Sequence, residues 1–338
     1  MPAHLILTEL LVGTMRAEAL ERIPDLWKAT YDLVAQVPEG RVTTYGEVAK
    51  ALGDILASRF VGLAMSRNDD IVRVPCRRVV QSDGGIGGYT GGGPRKKMRL
   101  LREEGIQIKG DKVLDLEGVL FDDFRTSYPL RELKKRQLML KRHLRTSEFK
   151  PPIDAVAGVD VAYQDQHAYA AMVMLDYRTG EEMERRVVEG DARFPYVPSY
   201  LAFREIPLIR PLMRDLGKRT IVMYDGNGTI HPEEFGIASQ VGVTFNRPTI
   251  GVAKKLLCGE VRGEPGRPAR RITLNGKTIG HAYSKGGVGK PVFVSVGHGV
   301  SQDQALEIAS RFTKHRIPEP TRLAHITAEE ARRGTSHK

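Results

Sequence analysis

The chain has 338 residues, 41% hydrophobic and 28% charged, a make-up that fits a folded globular protein and excludes a disordered or fibrous one. That length exceeds what a single core usually fills, so two domains are expected. A net charge of +11 favours a polyanionic partner, nucleic acid before a membrane surface; no stretch approaches the roughly 18 apolar residues of a membrane helix, and Met1 to Val12 lacks the features of a secretion signal, so a cytoplasmic protein is expected.

Residues 1–22 carry little pattern. Pro24 is expected to open a helix to about Gln36, with Leu26, Ala29 and Leu33 on one face. Thr44 and Glu47 have capping-box spacing, which predicts a helix ending near Gly53, and Ser58 is expected to cap a second from Arg59 to about Asn68. Two short helices joined by a tight turn outline a helix-turn-helix, whose second helix lies in a DNA groove. Cys76 follows in Val74-Pro75-Cys76-Arg77-Arg78, ahead of a loop holding seven glycines between residues 82 and 93, where backbone can approach a ligand or DNA strand closely. A helix from Pro94 to about Glu104 and a hairpin through Gly110-Asp111 close this domain near Arg125. The other cysteine, Cys258, lies far away, so neither a disulfide framework nor a cysteine-rich zinc site is available.

Leu130 to Lys150 reads as a helix ended by Pro151-Pro152, with eight Lys/Arg against two Glu, most simply a solvated face. Beyond it, strands are predicted at 155–161, 168–175, after Thr179-Gly180, at 220–224, on both sides of Asn275-Gly276 and at 291–296. Helices are predicted at 199–216, 232–240 and 302–313, and the last ten residues read as frayed. This mixture is α/β with a mixed sheet.

Two of these strands end on carboxylates, Asp160 after Ala155 to Val159 and Asp225 after Thr220 to Tyr224. Singly, each reads as a strand-terminal turn; together with Glu205 in a helix they can converge on a divalent cation. Hard oxygen ligands suit magnesium, with manganese as a substitute, and such an ion activates water for phosphodiester hydrolysis. Tyr196, between Pro195 and Pro198, has the stiffness of a wedge beside a distorted base.

From about Ser127 to Arg332 the chain resembles endonuclease V, a nuclease with an RNase H-like fold. The resemblance rests on Gly158-Val159-Asp160, Phe194-Pro195-Tyr196-Val197-Pro198, Phe203-Arg204-Glu205, Asp225-Gly226-Asn227-Gly228 with His231-Pro232, Thr249 to Lys254, and Arg316 to His325. It implies that Asp160, Glu205 and Asp225 hold the metal, that His325 completes the metal site or positions water, and that Lys254 faces the scissile phosphate. It further implies cleavage of the second phosphodiester 3′ to hypoxanthine, the base sitting near Gly226 to Gly228, His231 and Gly251. Ser199 stands where the family commonly has glycine, and Glu233 where a basic residue often follows the His-Pro pair. Deoxyinosine in double- or single-stranded DNA is the first substrate and inosine in RNA the alternative; a DNA-binding protein with a dead nuclease core is a third reading. Protein partners are not specified.

From about Asp25 to Phe124 the chain resembles the DNA-binding domain of O6-alkylguanine-DNA alkyltransferases, through Arg41 to Gly46, Arg59, Val61-Gly62, Ala64-Met65, Asn68, the Cys76 motif and Gly88 to Gly92. The resemblance implies that Arg59 intrudes into the base stack, Tyr45 presses on the target phosphate, Tyr89 packs on a flipped guanine, and Asn68 and Glu104 support Cys76 as alkyl acceptor. The family's separate N-terminal domain is expected to be missing. Arg77 replaces the family's histidine, and a guanidinium cannot take the thiol proton, although its charge favours thiolate. Either an altered suicide alkyltransferase or a non-enzymatic damage-binding module follows. The expected architecture is a winged helix-turn-helix module over residues 1–125, its core at about 25–125, followed by an RNase H-like nuclease over 126–332.

Overall fold

The computed structural model describes residues 23–334, so the expectation for residues 1–22, and that of fraying for the last four, lies outside them. The chain divides into two compact units, Ile23–Lys135 with Phe194–Tyr200, and Arg136–Arg193 with 201–334. Among the described residues, no helix is long and apolar enough to cross a membrane.

In the first unit, α1 (Leu26–Val34) is started by the side chain of Asp25, which accepts from Lys28 N at 3.0 Å, rather than by Pro24. β1 (Thr43–Thr44) leads into α2 (Tyr45–Leu52), where Thr44 Oγ1 accepts from Glu47 N at 3.1 Å, and Gly53 ends the helix at φ +110°. The cap expected at Ser58 lies elsewhere. Asp54 caps a single 3-10 turn, Ile55–Ala57, that runs straight into α3 (Ser58–Ser66), and the Ser58 hydroxyl donates back to Ile55 O at 2.6 Å. β2 (Val79–Val80) pairs parallel with β1. Next come α4 (Gly93–Glu103), the hairpin of β3 (Ile108–Lys109) and β4 (Lys112–Val113), and α5 (Leu116–Val119). Val42, Val80, Ile86, Leu101, Ile106 and Val113 form the core beneath the hairpin. Tyr200, in the outlying segment of this unit, donates its hydroxyl to Asp54 Oδ2 at 2.8 Å.

The division between units falls within α6 (Pro129–Lys141). This helix stops nine residues short of the expected Lys150: residues 142–144 bond back to 139–141 in a tighter last turn, and from Arg145 the backbone finds tertiary partners. Arg145 N donates to His298 Nδ1 at 3.2 Å and Phe149 N to Gln304 Oε1 at 2.8 Å.

In the second unit, β5 (Ala155–Gln164), β6 (His167–Asp176) and β7 (Glu182–Asp191) form an antiparallel meander. α7 (Leu201–Arg214) leads to β8 (Thr220–Asp225), parallel to β5, and α8 (Ile237–Phe245) to β9 (Thr249–Ala253), parallel to β8. With β10 (Glu260–Arg262), β11 (Ala269–Leu274), β12 (Lys277–Tyr283) and β13 (Val292–His298), a nine-stranded mixed sheet has the order β10-β11-β12-β13-β9-β8-β5-β6-β7. α9 (Gln302–Arg311) and α10 (Glu319–Gly334) complete the unit, so residues 329–334, expected to fray, are helical. α8 begins five residues later than expected, since the turn before it is tied to the loop after β8: Gly236 N donates to Gly228 O at 2.9 Å and Ala238 N to Asn227 O at 3.0 Å.

Alternation along the strands gives the sheet two apolar faces. Val156, Ile221, Met223, Val252 and Val294 pack beneath Ala305, Ile308 and Ala309 of α9, with Leu323 of α10 beside them. Ala157, Val159, Val222 and Tyr224 pack beneath Ile206, Ile209 and Leu212 of α7 and Val241 of α8.

Candidate functional site

The same alternation sorts the acidic residues. Asp160 follows Val156 and Gly158 on the β5 face covered by α10, and Asp225 follows Ile221 and Met223 on the equivalent face of β8. Gly158 admits α10, since a Cβ there would stand 2.0 Å from the Pro320 carbonyl carbon. Five residues further along, His325 places Nδ1 2.7 Å from Asp160 Oδ2. Asp160, Asp225 and His325 thereby present ligand atoms that all lie within 4.8 Å of one another. At their edge, Lys254 donates to Asp225 Oδ2 at 2.6 Å from the residue just past β9.

Glu205, expected in the metal set, stands outside this group because α7 covers the opposite face of the sheet. Its carboxylate is buried and accepts from Tyr163 at 2.8 Å and Tyr224 at 2.6 Å, while the Arg204 guanidinium lies 4.3 Å over the Tyr163 ring. Neither tyrosine stood out in the sequence; the only signal was parity, since Tyr163 and Tyr224 share the strand faces of Val159 and Val222.

Burial, and then the neighbouring charge of Asp225, push Asp160 up to about 6, against the opposing pull of His325. Burial pushes Glu205 up to about 7, against the two tyrosine hydroxyls. Two repelling carboxylates in a recess, with an imidazole nitrogen at hand, fit a divalent cation, whose charge relieves the repulsion.

The glycines of the expected base pocket have an internal packing reason. A Cβ at Gly228 would stand 1.9 Å from Val296 O, at Gly251 2.4 Å from Gly228 N, and at Gly226 2.6 Å from Ile237 Cγ2. They let the loop after β8 lie against β9 and β13. His231 is buried, and its Nδ1 accepts from Glu233 N at 3.2 Å, which ties the turn. Tyr196 is 63% exposed, and Ser199 has φ +69°, a conformation that favours glycine.

In the first unit a cavity of about 430 Å³ is lined by Tyr45, Gly62, Met65, Cys76, Gly88, Tyr89 and Thr90. Cys76 is buried, with Sγ 3.9 Å from Thr90 Oγ1. Asn68 donates to Val74 O at 2.9 Å, fixing the turn before the thiol, and Arg59 is exposed near the start of α3. Arg77 turns to Glu104, with Nε 2.6 Å from Oε1, and Arg78 grips the same carboxylate at 2.7 Å and 3.0 Å. Burial pushes Glu104 up, but the two arginines outweigh it and hold the carboxyl below its usual range. Lys97 went unnoticed among the exposed cations of α4; it is fully buried, donates to Val79 O at 2.6 Å and Gly88 O at 3.2 Å, and burial pulls it down to about 8.

Comparison with known proteins matches residues 137–326 to the Endonuclease V family and residues 25–106 to the DNA-binding domain of 6-O-methylguanine DNA methyltransferase. A bifunctional methyltransferase/endonuclease of Picrophilus torridus is 35% identical over 309 residues, 91% of this chain and 97% of that one. Endonuclease V of Streptomyces avermitilis superposes with a TM-score of 0.57 at 37% identity, covering 61% of this chain and 94% of that one. Endonuclease V of Ciona intestinalis, solved with a 24mer DNA containing an inosine followed by a ribo-adenosine, superposes with a TM-score of 0.55 at 28% identity, covering 61% of this chain and 98% of that one.

Proposed function

This chain belongs to the endonuclease V family, joined to an alkyltransferase-type DNA-binding domain, and from that premise we propose that it cuts DNA at deoxyinosine in the cytoplasm. The observation that carries the reading is the convergence of Asp160, Asp225 and His325. These three residues would hold Mg2+, or Mn2+ in its place, which supplies an activated water and charge for the leaving oxygen. Lys254, beside Asp225, faces the scissile phosphate. Glu205 serves from across the sheet edge, where its negative charge repels that of Asp160 and so favours a cation between them. Tyr196 is the wedge, and the extruded hypoxanthine meets the backbone around Gly226, Gly228 and Gly251, with His231 bracing that turn.

The test is strand cleavage of a duplex carrying one deoxyinosine, with magnesium and with EDTA, mapped to the nucleotide. A magnesium-dependent nick at the second phosphodiester on the 3′ side is expected; binding without cleavage would leave only the DNA-binding reading. The ribo-adenosine in the Ciona complex favours inosine in RNA as runner-up, and the same assay on RNA ranks the two.

For the first unit we propose that Cys76 accepts an alkyl group from a guanine extruded into the cavity between Tyr45 and Tyr89. The sulfur bonds to the alkyl carbon as the carbon–oxygen bond to guanine breaks, and the thiol proton ends on the released guanine. Arg77, cationic and turned to Glu104, does not take that proton. Intact-mass analysis after incubation with methylated-guanine DNA should show one methyl group confined to Cys76; tight binding without an adduct would reduce the unit to a damage reader.

A further inference from the structure

A pocket of about 690 Å³ in the second unit belongs to neither site. It opens where β8 and β9 begin, between Lys218 and Pro248, whereas Asp225 closes β8 at the other end. Arg145 and Lys150 reach it from the basic stretch after α6, Lys218 from the turn before β8, and Arg247 from the turn before β9. Glu148 is the one carboxylate in its lining. The arginines are fixed in place, Arg145 donating to Asn246 Oδ1 at 3.0 Å and Arg247 to Gly217 O at 2.9 Å. Lys150 and Lys218 have no hydrogen-bond or ion-pair partner among the described residues. Four cations gathered from three chain segments repel one another unless an anion joins them.

We propose that this pocket binds the phosphate backbone of the nucleic-acid strand away from the cut, an inference that rests on the nuclease reading. The five residue steps of β8 at roughly 3.3 Å each place the pocket about 16 Å from Asp225. At ~3.4 Å of axial rise per nucleotide, the phosphate held here lies about five nucleotides or more from the scissile one. The basic stretch read from the sequence as a solvated face thus acquires a ligand, and short substrates never reach it.

The test compares the full chain with the double variant Lys150→Gln, Lys218→Gln on deoxyinosine duplexes with flanks of about fifteen and about three nucleotides. For the long duplex, affinity should fall roughly tenfold or more at 0.1 M salt, and the salt slope should flatten by about 1 to 2. Binding and cleavage of the short duplex, and the unfolding temperature, should not change. Equal losses on both duplexes, or no loss on the long one, would overturn the proposal. Saturable binding of inorganic phosphate that the variant loses, with long-duplex affinity intact, would overturn it in favour of a small phosphorylated ligand. Failure of the wild-type chain to cut even the short duplex is a separate result, and it counts against the nuclease reading.

Discussion

In the second unit Asp160 and Asp225 face a common recess, and Glu205 adds its charge from behind. In the first, Glu104 stands between Arg77 and Arg78, the opposing charges contact one another directly, and Cys76 is left with the Thr90 hydroxyl. Both sites contain a residue type able to do chemistry. The difference teaches that like and opposite charges prime a site differently: Asp225 raises Asp160 and the pair favours a cation, whereas Arg77 and Arg78 hold Glu104 ionised and engaged.

Removing one member of the acidic set breaks this contrast most sharply. Asp225→Asn should lower cleavage at least about a hundredfold while affinity for DNA persists in a gel-shift assay. Arg77→His works from the other side, freeing a group that can accept the thiol proton; adduct formation at Cys76 should accelerate by about 10²-fold in time-resolved mass spectra. An unchanged rate would mean that the lack of a proton acceptor at this position is not what restrains the thiol. Tyr224→Phe removes a donor that holds Glu205 ionised, so the acid limb of the cleavage profile should move to higher pH, with activity near pH 7 down about tenfold.

The smallest effect concerns stability. Asp160 and Glu205 have folded-state values raised to about 6 and about 7, so between their ordinary range near pH 4 and those values the folded state binds more protons than the unfolded one. Metal-free protein should therefore lose stability as pH rises from about 5 to about 8, by roughly 5 °C in Tm, and manganese should restore it at the upper end.

What was legible in the sequence was what strands and short motifs encode locally. Asp160 and Asp225 each end an apolar run, and the Thr44 cap and the Gly53 stop sit where local rules place them. Contacts between distant segments were not legible. Glu205 lies within the expected helix, yet which sheet face that helix covers depends on the crossover before β8, and its tyrosine partners come from two other strands. The helix after Leu130 ends where His298 and Gln304 begin to bind the backbone, and those partners lie about 150 residues further on. Lys97 looks like its exposed neighbours until Val79 and Gly88 close over it.

Gly158 has a bearing on how this enzyme can be engineered. Exchanging glycine for alanine inside regular structure is a common route to a hardier protein, because it narrows the unfolded ensemble. At this position the exchange would set a methyl group against the Pro320 carbonyl, lift α10 from β5 and draw the His325 ring away from Asp160. A thermostability screen that scored folding alone would register the strain as an ordinary packing defect. It would miss that the spacing of Asp160 and His325 is gauged by one absent carbon atom.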